Sequence, residues 1–272
     1  MKIVFYKYQG TGNDFILLDN RSHEYDGLTE TQVAFICSRH FGIGADGLML
    51  LNKKDGFDFE MKYYNADGAV GSMCGNGGRC LVRFANSLGI HKNDYHFIAC
   101  DGEHQAEIDL DGIVRLKMND VNAVEIHPSY YILNTGSPHY IKPTRDVMKM
   151  DVKTAGNLIR YSKEYEEQGI NVNFVEKLNE DTIYVRTYER GVEDETLSCG
   201  TGITASALVY AHNDNGFNRV EVKTLGGSLS VEFDKMDDEH FENIWLSGPA
   251  NFVFKGEIEI VVKPKPGINW KS

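Results

Sequence analysis

Proline and tryptophan are scarce in this chain of 272 residues, with six and two respectively, and no Pro- or Ser-rich stretch marks a linker. Basic residues are in deficit as well. The 28 Lys and Arg face 40 Asp and Glu, for a formal charge of −12 at pH 7. That balance excludes a face for wrapping nucleic acid, which must be basic, and one for docking on anionic membrane. No apolar run reaches the roughly 18 residues that a membrane span takes. The opening MKIVFYKYQGTGNDF places Lys7 and Asp14 where a secretory signal would have its apolar core, so none is expected. Five cysteines are too sparse for a disulfide scaffold, and an odd number cannot all pair. A reduced, cytoplasmic setting is the expectation. With 42% hydrophobic and 25% charged residues, the chain is globular, and long enough for one large or two small domains with a real core.

Glycine is in excess: 27 of 272 residues, about 10%, against roughly 7% on average. The glycines break short apolar stretches into strands. Strands are expected over 3–8, 15–19, 48–52 and 57–64, with three more in 95–118 and a turn at Asp111-Gly112. Helices are expected over 29–40, with Thr29 as N-cap, and over 77–88, where Leu81, Phe84, Ala85 and Leu88 share one face. The second half repeats the plan. Extended segments at 130–133 and 140–141 precede a helix over 153–165. Strands at 172–176 and 182–188 precede a helix over 201–212, and strands follow near 219–224, 228–233, 243–247 and 252–262.

Three landmarks mark this as a duplication. Gly12 in GTGND precedes Cys74 in MCGNGG by 62 residues, and Gly136 in NTGSPH precedes Cys199 in SCGTGI by 63. A polar loop leads into each cysteine and an apolar helix leads away from it. Two similar lobes are expected, with a boundary near 119–125.

The pair of Cys-Gly-x-Gly sequences, Cys74–Gly77 and Cys199–Gly202, is the strongest chemical signal. Each cysteine opens a helix, where unpaired backbone N–H groups and the helix dipole favour negative charge. A thiol there has its pKa lowered, and the adjacent N–H groups can hold a carboxylate. The bland alternative, a small buried filler, suits one such cysteine better than two related by a repeat. It is the reading adopted for Cys37, Cys80 and Cys100. The spacing of Cys74 and Cys80 is no zinc-finger spacing, and no metal site is expected. Residues 42–47 match G-x-G-x-x-G, but a helix precedes them and a strand follows. That is the reverse of a dinucleotide loop, so a tight turn is expected.

Around the cysteines stand loop-borne polar residues: Asn13, Asn65, Asn76 and Asn171, His139 beside Pro138, and Glu189-Arg190. Each has an ordinary alternative. The amides can be turn formers, the histidine structural, and Glu189-Arg190 a surface ion pair. Asn65 and Glu189-Arg190 occupy matching places before their cysteines. Two thiols from mirrored lobes, facing one carbon, suit inversion of a stereocentre: one removes a proton as thiolate and the other donates as thiol. No lysine sits in a cofactor motif.

The strings GTGNDF, GIGADGL, YYNADG, MCGNGGRC, NVNF and YERGVEDETLSCGTG, in this order, resemble the diaminopimelate epimerases over essentially the whole chain. The resemblance implies an isomerase without cofactor that interconverts LL- and meso-diaminopimelate for lysine and peptidoglycan precursors. It implies Cys74 and Cys199 as acid and base, with His139 supporting the first and Glu189 near the second. Asn13, Asn65, Asn171 and Arg190 match substrate-binding positions, and Gly75, Asn76, Gly200 and Thr201 the backbone that holds the reacting carboxylate. The fold implied is α+β: two pseudo-symmetric lobes, each a curled, mostly antiparallel, barrel-like sheet round a central helix, with the site in the cleft between them. Residues 1–120 with 259–272 would form the N-terminal lobe and 121–258 the other. The implied partner is a small diamino dicarboxylic acid. Oligomeric state stays open, a homodimer being one option. Three departures bear on substrate fit. Gly47 stands where some members have glutamine, Ser137 where asparagine is usual, and the loop between Arg190 and Cys199 is one residue longer. Alternatives left open are a proline- or hydroxyproline-type racemase on the same fold and a non-catalytic amino-acid-binding or redox protein. Oxidation is expected to join the two thiols if they lie within disulfide reach.

Overall fold

A computed structural model describes residues 1–260 of the chain. In chain order its elements are β1 (Lys2–Gly10), β2 (Asn13–Asp19), α1 (Glu30–Cys37), β3 (Gly47–Asn52), β4 (Glu60–Asn65), α2 (Gly75–Ser87), β5 (Asp94–Ala99), β6 (Gly102–Ile108) and β7 (Val114–Lys117). Then come β8 (Val124–His127), β9 (Tyr130–Asn134), β10 (Pro138–Pro143), α3 (Val152–Arg160), β11 (Asn171–Lys177), β12 (Thr182–Glu189) and β13 (Asp194–Thr196). The last are α4 (Gly200–Val209), β14 (Gly216–Thr224), β15 (Gly227–Lys235), β16 (Phe241–Gly248) and β17 (Asn251–Glu259). The class is α+β, mostly strands with few helices, and the sheets curl without closing into barrels.

The chain forms two compact units, residues 1–114 with 249 onward, and residues 115–248. The division falls six residues before the expected 120/121 and ten before 258/259, and pairing gives the reason. All of β17 pairs antiparallel with β1, from Lys2 opposite Glu259 to Gln9 opposite Asn251. Residues 115–121 belong with the second unit because β7 pairs with β16 and Val121 bridges Phe241.

The repeat is explicit in the pairings. In the first unit β1 and β2 are antiparallel, β2 and β3 parallel, and β3 and β4 antiparallel. In the second, β9 and β10 are antiparallel, β10 and β11 parallel, and β11 and β12 antiparallel. A helix makes each parallel crossover, α1 in one unit and α3 in the other. In the first unit the parallel strands are continuous apolar runs buried on both faces, Ile16–Leu18 against Leu48–Leu50. The helix after each fourth strand is the hub. In α2 every residue from Gly75 to Val82 is buried, and in α4 all but Thr201 from Gly200 to Leu208.

Helix ends differ from the sequence expectation for local reasons. Thr29 caps α1 in a capping box with Gln32. The helix stops at Cys37, where Ser38 turns extended and residues 42–45 fold back to donate to the carbonyls of Ser38, Ile36 and Cys37. That is the tight turn expected of the G-x-G-x-x-G stretch. Strands β8 and β13 were not expected. Asp-Glu-Thr has little strand propensity, and β13 forms because it pairs with β12 and Glu195 accepts from two nitrogens of Arg186, Nε and Nη2, at 2.6 and 2.7 Å.

Candidate active site

Cys74 and Cys199 are the N-cap residues of α2 and α4, with nearly the same backbone: φ −111°, ψ 123° and φ −115°, ψ 111°. Neither side chain caps its helix, and neither helix has an acidic residue in its first turn. The first-turn N–H groups have no partner within the helix by geometry. Each end therefore offers a sulfur beside donors suited to an anion. Each cysteine carbonyl accepts from four residues on, Gly78 N at 2.7 Å and Ile203 N at 2.9 Å.

In the first unit the Gly12 turn, at φ +87°, brings Asn13 to Cys74. The thiol lies 3.6 Å from Asn13 Oδ1, which also accepts from Asn76 Nδ2 at 3.4 Å. Asn13 Nδ2 donates to Asp46 at 2.6 Å. Asp46 in turn is bound by Arg39 at 2.7 Å, and Arg39 also holds Asp14, which pairs with Lys7 at 2.7 Å. Burial alone would raise the Asp14 carboxyl, but Arg39 and Lys7 prevail and hold it down at about 2. Asn76 is buried, and its Oδ1 accepts from the fully buried Arg79 at 3.0 Å, while Arg79 also reaches the Gly75 carbonyl at 3.4 Å. Asn65 ends β4 with its side chain exposed.

In the second unit the Gly136 turn, at φ +108°, carries Ser137 and His139. His139 is fully buried and its Nε2 meets Thr201 Oγ1 at 2.9 Å. That hydroxyl lies 3.5 Å from Cys199 Sγ. His139 thus reaches the second cysteine by way of Thr201. Burial, with the nearby charge of Arg190, pushes the imidazole down to about 3, so it is neutral at ordinary pH. Glu189 ends β12 as Asn65 ends β4, and its Oε1 accepts from Thr196 Oγ1 at 2.5 Å. Arg190 and Glu189 are not paired with each other. Arg190 donates to the Gln168 carbonyl at 2.8 Å and lies 3.4 Å from Ser137 Oγ. Asn171 joins them, donating to Ser137 Oγ at 2.8 Å and accepting from Arg190 N at 2.9 Å. Among the described residues no carboxylate pairs with this exposed guanidinium.

Two departures from expectation concern other residues. Cys37 and Cys80 are buried fillers, their thiols pushed up to about 12 chiefly by burial. Cys100 is not a filler: it is exposed just past β5, with Sγ donating to the Gly71 carbonyl at 3.4 Å. Asn173 was missed. It is fully buried on β11, two residues after Asn171, with Nδ2 3.0 Å from His139 Nδ1. The only signal for it in the sequence was its place in the NVNF string. Among the described residues no group of three or more His, Cys, Asp or Glu could hold a metal ion.

Known proteins resemble this chain over most of its length. The family model described as diaminopimelate epimerase matches residues 5–124 and 131–253. A diaminopimelate epimerase of Flavobacterium psychrophilum is 49% identical over 93% of this chain and 99% of its own length. That of Chlorobaculum tepidum is 43% identical over 92% and 99%. Among solved structures, a Bacillus anthracis phenazine biosynthesis protein of the PhzF family superposes with TM-score 0.73 at 16% identity, over 96% of this chain and all of that one. A hydroxyproline epimerase from Agrobacterium vitis gives 0.64 at 13%, over 94% and 92%. These two share the fold. The family match and the extent of identity lead to one conclusion: the chain belongs to the diaminopimelate epimerase family.

Proposed function

We propose that this protein inverts one α-carbon of diaminopimelate, converting the LL to the meso form in lysine and peptidoglycan precursor synthesis, by thiol–thiolate chemistry at Cys74 and Cys199 and with no cofactor. The observation that carries this reading is the repeated helix start. Two sulfurs with one backbone geometry stand beside two sets of first-turn N–H groups, and neither first turn carries an acidic residue.

The chemistry follows from what each group can do. One cysteine, as thiolate, takes the α-proton. The electron pair left on carbon delocalises into the reacting carboxylate, whose charge the N–H groups of Gly75, Asn76, Gly200 and Thr201 stabilise. Each such donor is worth roughly 3 kcal/mol where water is excluded. The other cysteine, as thiol, gives its proton to the opposite face. The protein is left with the same one proton shared by two sulfurs, now on the other one. His139, neutral, and Glu189 support the sulfurs. The cluster of Ser137, Asn171 and Arg190 suits the distant carboxylate of a dicarboxylic substrate, because among the described residues its guanidinium is held by carbonyl and hydroxyl oxygens and not by a carboxylate. Asn13, beside Cys74, and Asn65, at the end of β4, bind the substrate. Working thiols require a reducing setting, which fits the cytoplasm.

Incubation with LL-diaminopimelate in D2O tests this. Deuterium should enter one α-carbon as the meso form appears, and Cys74→Ala and Cys199→Ala should each lose net inversion by at least a thousandfold, a barrier increase of about 4 kcal/mol. Inversion that survives in both variants defeats the mechanism. Inversion of proline or hydroxyproline with diaminopimelate untouched defeats the substrate assignment.

A further inference from the structure

The glycine-rich turn over residues 42–47 is tied to Asn13 by charge. The turn lies tight on the end of α1: a Cβ on Gly42 would stand 2.1 Å from the Phe35 carbonyl oxygen. It delivers Asp46 to the start of β2, where the Asp46 N–H donates to the Asp14 carbonyl at 2.9 Å. The Asp46 carboxylate then accepts from three donors. Arg39 Nη2 reaches its Oδ1 at 2.7 Å, and Asn13 Nδ2 and the Asp14 N–H reach its Oδ2 at 2.6 and 3.1 Å. Asp14, alongside, accepts from both terminal nitrogens of Arg39, at 2.8 and 3.1 Å, and pairs with the buried Lys7 at 2.7 Å. Lys7 Nζ also donates to the Gly44 carbonyl, which closes the turn onto β1.

Two carboxylates side by side repel each other unless cations stand between them. Among the described residues Arg39 is the cation that touches both, and its planar fork suits that bridge better than an ammonium would. A carboxylate can only accept, so the Asn13 atom facing Asp46 is the amide nitrogen, and Oδ1 is turned toward the start of α2. An asparagine amide has two orientations of nearly the same shape, and Asp46 selects one of them. The second unit holds the equivalent position too. Phe15 pairs with Gly47 as His139 pairs with Asn171, so Asn13 and Ser137, each two residues earlier, are counterparts. Ser137 Oγ accepts from Asn171 Nδ2 at 2.8 Å. Both units therefore fix the residue after the positive-φ glycine from the start of the parallel strand beside it, and the first unit does so through a charge.

We infer that Arg39 is a positioning residue: by holding Asp46 against Asn13 it fixes which end of the Asn13 amide faces the substrate. The inference rests on the reading of Asn13 as a substrate-binding residue. Arg39 is half exposed, and an ion pair open to water adds little to stability, so its effect on orientation is separable from its effect on folding.

Proton–nitrogen correlation spectra of protein labelled with 15N-asparagine read the bridge without substrate. The Asn13 side-chain signals, assigned by their loss in Asn13→Ala, should show one proton shifted downfield by the Asp46 carboxylate. Arg39→Gln should move that proton toward the position of an exposed amide, and Arg39→Lys should restore part of the shift. A signal unmoved in Arg39→Gln overturns the inference. With LL-diaminopimelate, Arg39→Gln should lower kcat/KM about tenfold with the urea midpoint little changed, and Arg39→Lys should recover part of the loss. In an Asn13→Ala background Arg39→Gln should cost nothing more, since residues acting through one path are not additive. An unchanged kcat/KM in Arg39→Gln, or a full further loss in the Asn13→Ala background, overturns the positioning role. If diaminopimelate is not turned over at all while the Asn13 signal moves as expected, the epimerase reading fails and the bridge does not.

Discussion

His139 sits far from water. It is fully buried, and its pKa falls to about 3 because of burial first and Arg190 second. The folded value lies below the unfolded value of about 6.5, so between the two the unfolded chain binds a proton that the folded chain refuses. The contribution of this group to stability is complete above pH 6.5 and is lost as pH falls toward 3, at about 1.4 kcal/mol per pH unit. Asp14 acts in a lower window, between 3.8 and about 2. Urea unfolding at pH 6.0, 5.0 and 4.5 should show a steeper loss of stability in the natural protein than in His139→Gln. Parallel slopes would mean that His139 is already protonated in the folded state. At this scale the sequence was readable where a residue type carries its own chemistry, as the two cysteines do. Asn173 was not readable, because its place beside His139 depends on strand register. Pairing of β11 with β12 puts it opposite Thr187, and the parallel pairing with β10 brings it to the His139 ring.

The two hub helices carry glycine at the third position after the cysteine, for different reasons. At Gly77 a Cβ would stand 1.9 Å from Met49 Cε, the free end of a flexible side chain that can swing aside. At Gly202 it would stand 2.3 Å from Asn173 Oδ1, which Thr187 and His139 hold in place. Gly77→Ala should therefore cost less than about 1 kcal/mol, helped by the higher helix propensity of alanine. Gly202→Ala should cost about 1–3 kcal/mol as an overpacked site and lower turnover as well. Denaturant midpoints of the two variants check this, and equal losses would contradict the difference between the helices. Most elements were legible because burial imposes periodicity: the apolar stripe of α2 and the continuous runs of β2 and β3 show it. The ends of α1 and α3 were less so. α3 stops at Arg160, five residues short of the expected 165, where the backbone turns through Ser162 and closes on Gly169 at φ +71°.

At the scale of the whole molecule, the duplication connects fold to chemistry. Each repeat supplies one turn with a positive-φ glycine, one fourth strand ending in a polar residue, and one cysteine at a helix start. Spacing of the landmarks made this visible in the sequence. The division at 114/115 was not visible there, because it depends on β7 pairing with β16 across more than a hundred residues. If each repeat contributes one sulfur, the proton removed and the proton delivered are different protons. The donating thiol exchanges with solvent before substrate arrives, so in D2O the product receives deuterium on its first passage. The proton taken from substrate leaves on the other sulfur. In the earliest turnovers, starting from LL-diaminopimelate in D2O, the meso product should carry one deuterium at the inverted carbon while the remaining LL form is still protonated. A single group working both faces would return part of the original hydrogen to product. Mass spectra of the two separated isomers below ten per cent conversion decide between them, and substantial hydrogen retained at the inverted carbon of the product would rule out the two-sulfur mechanism.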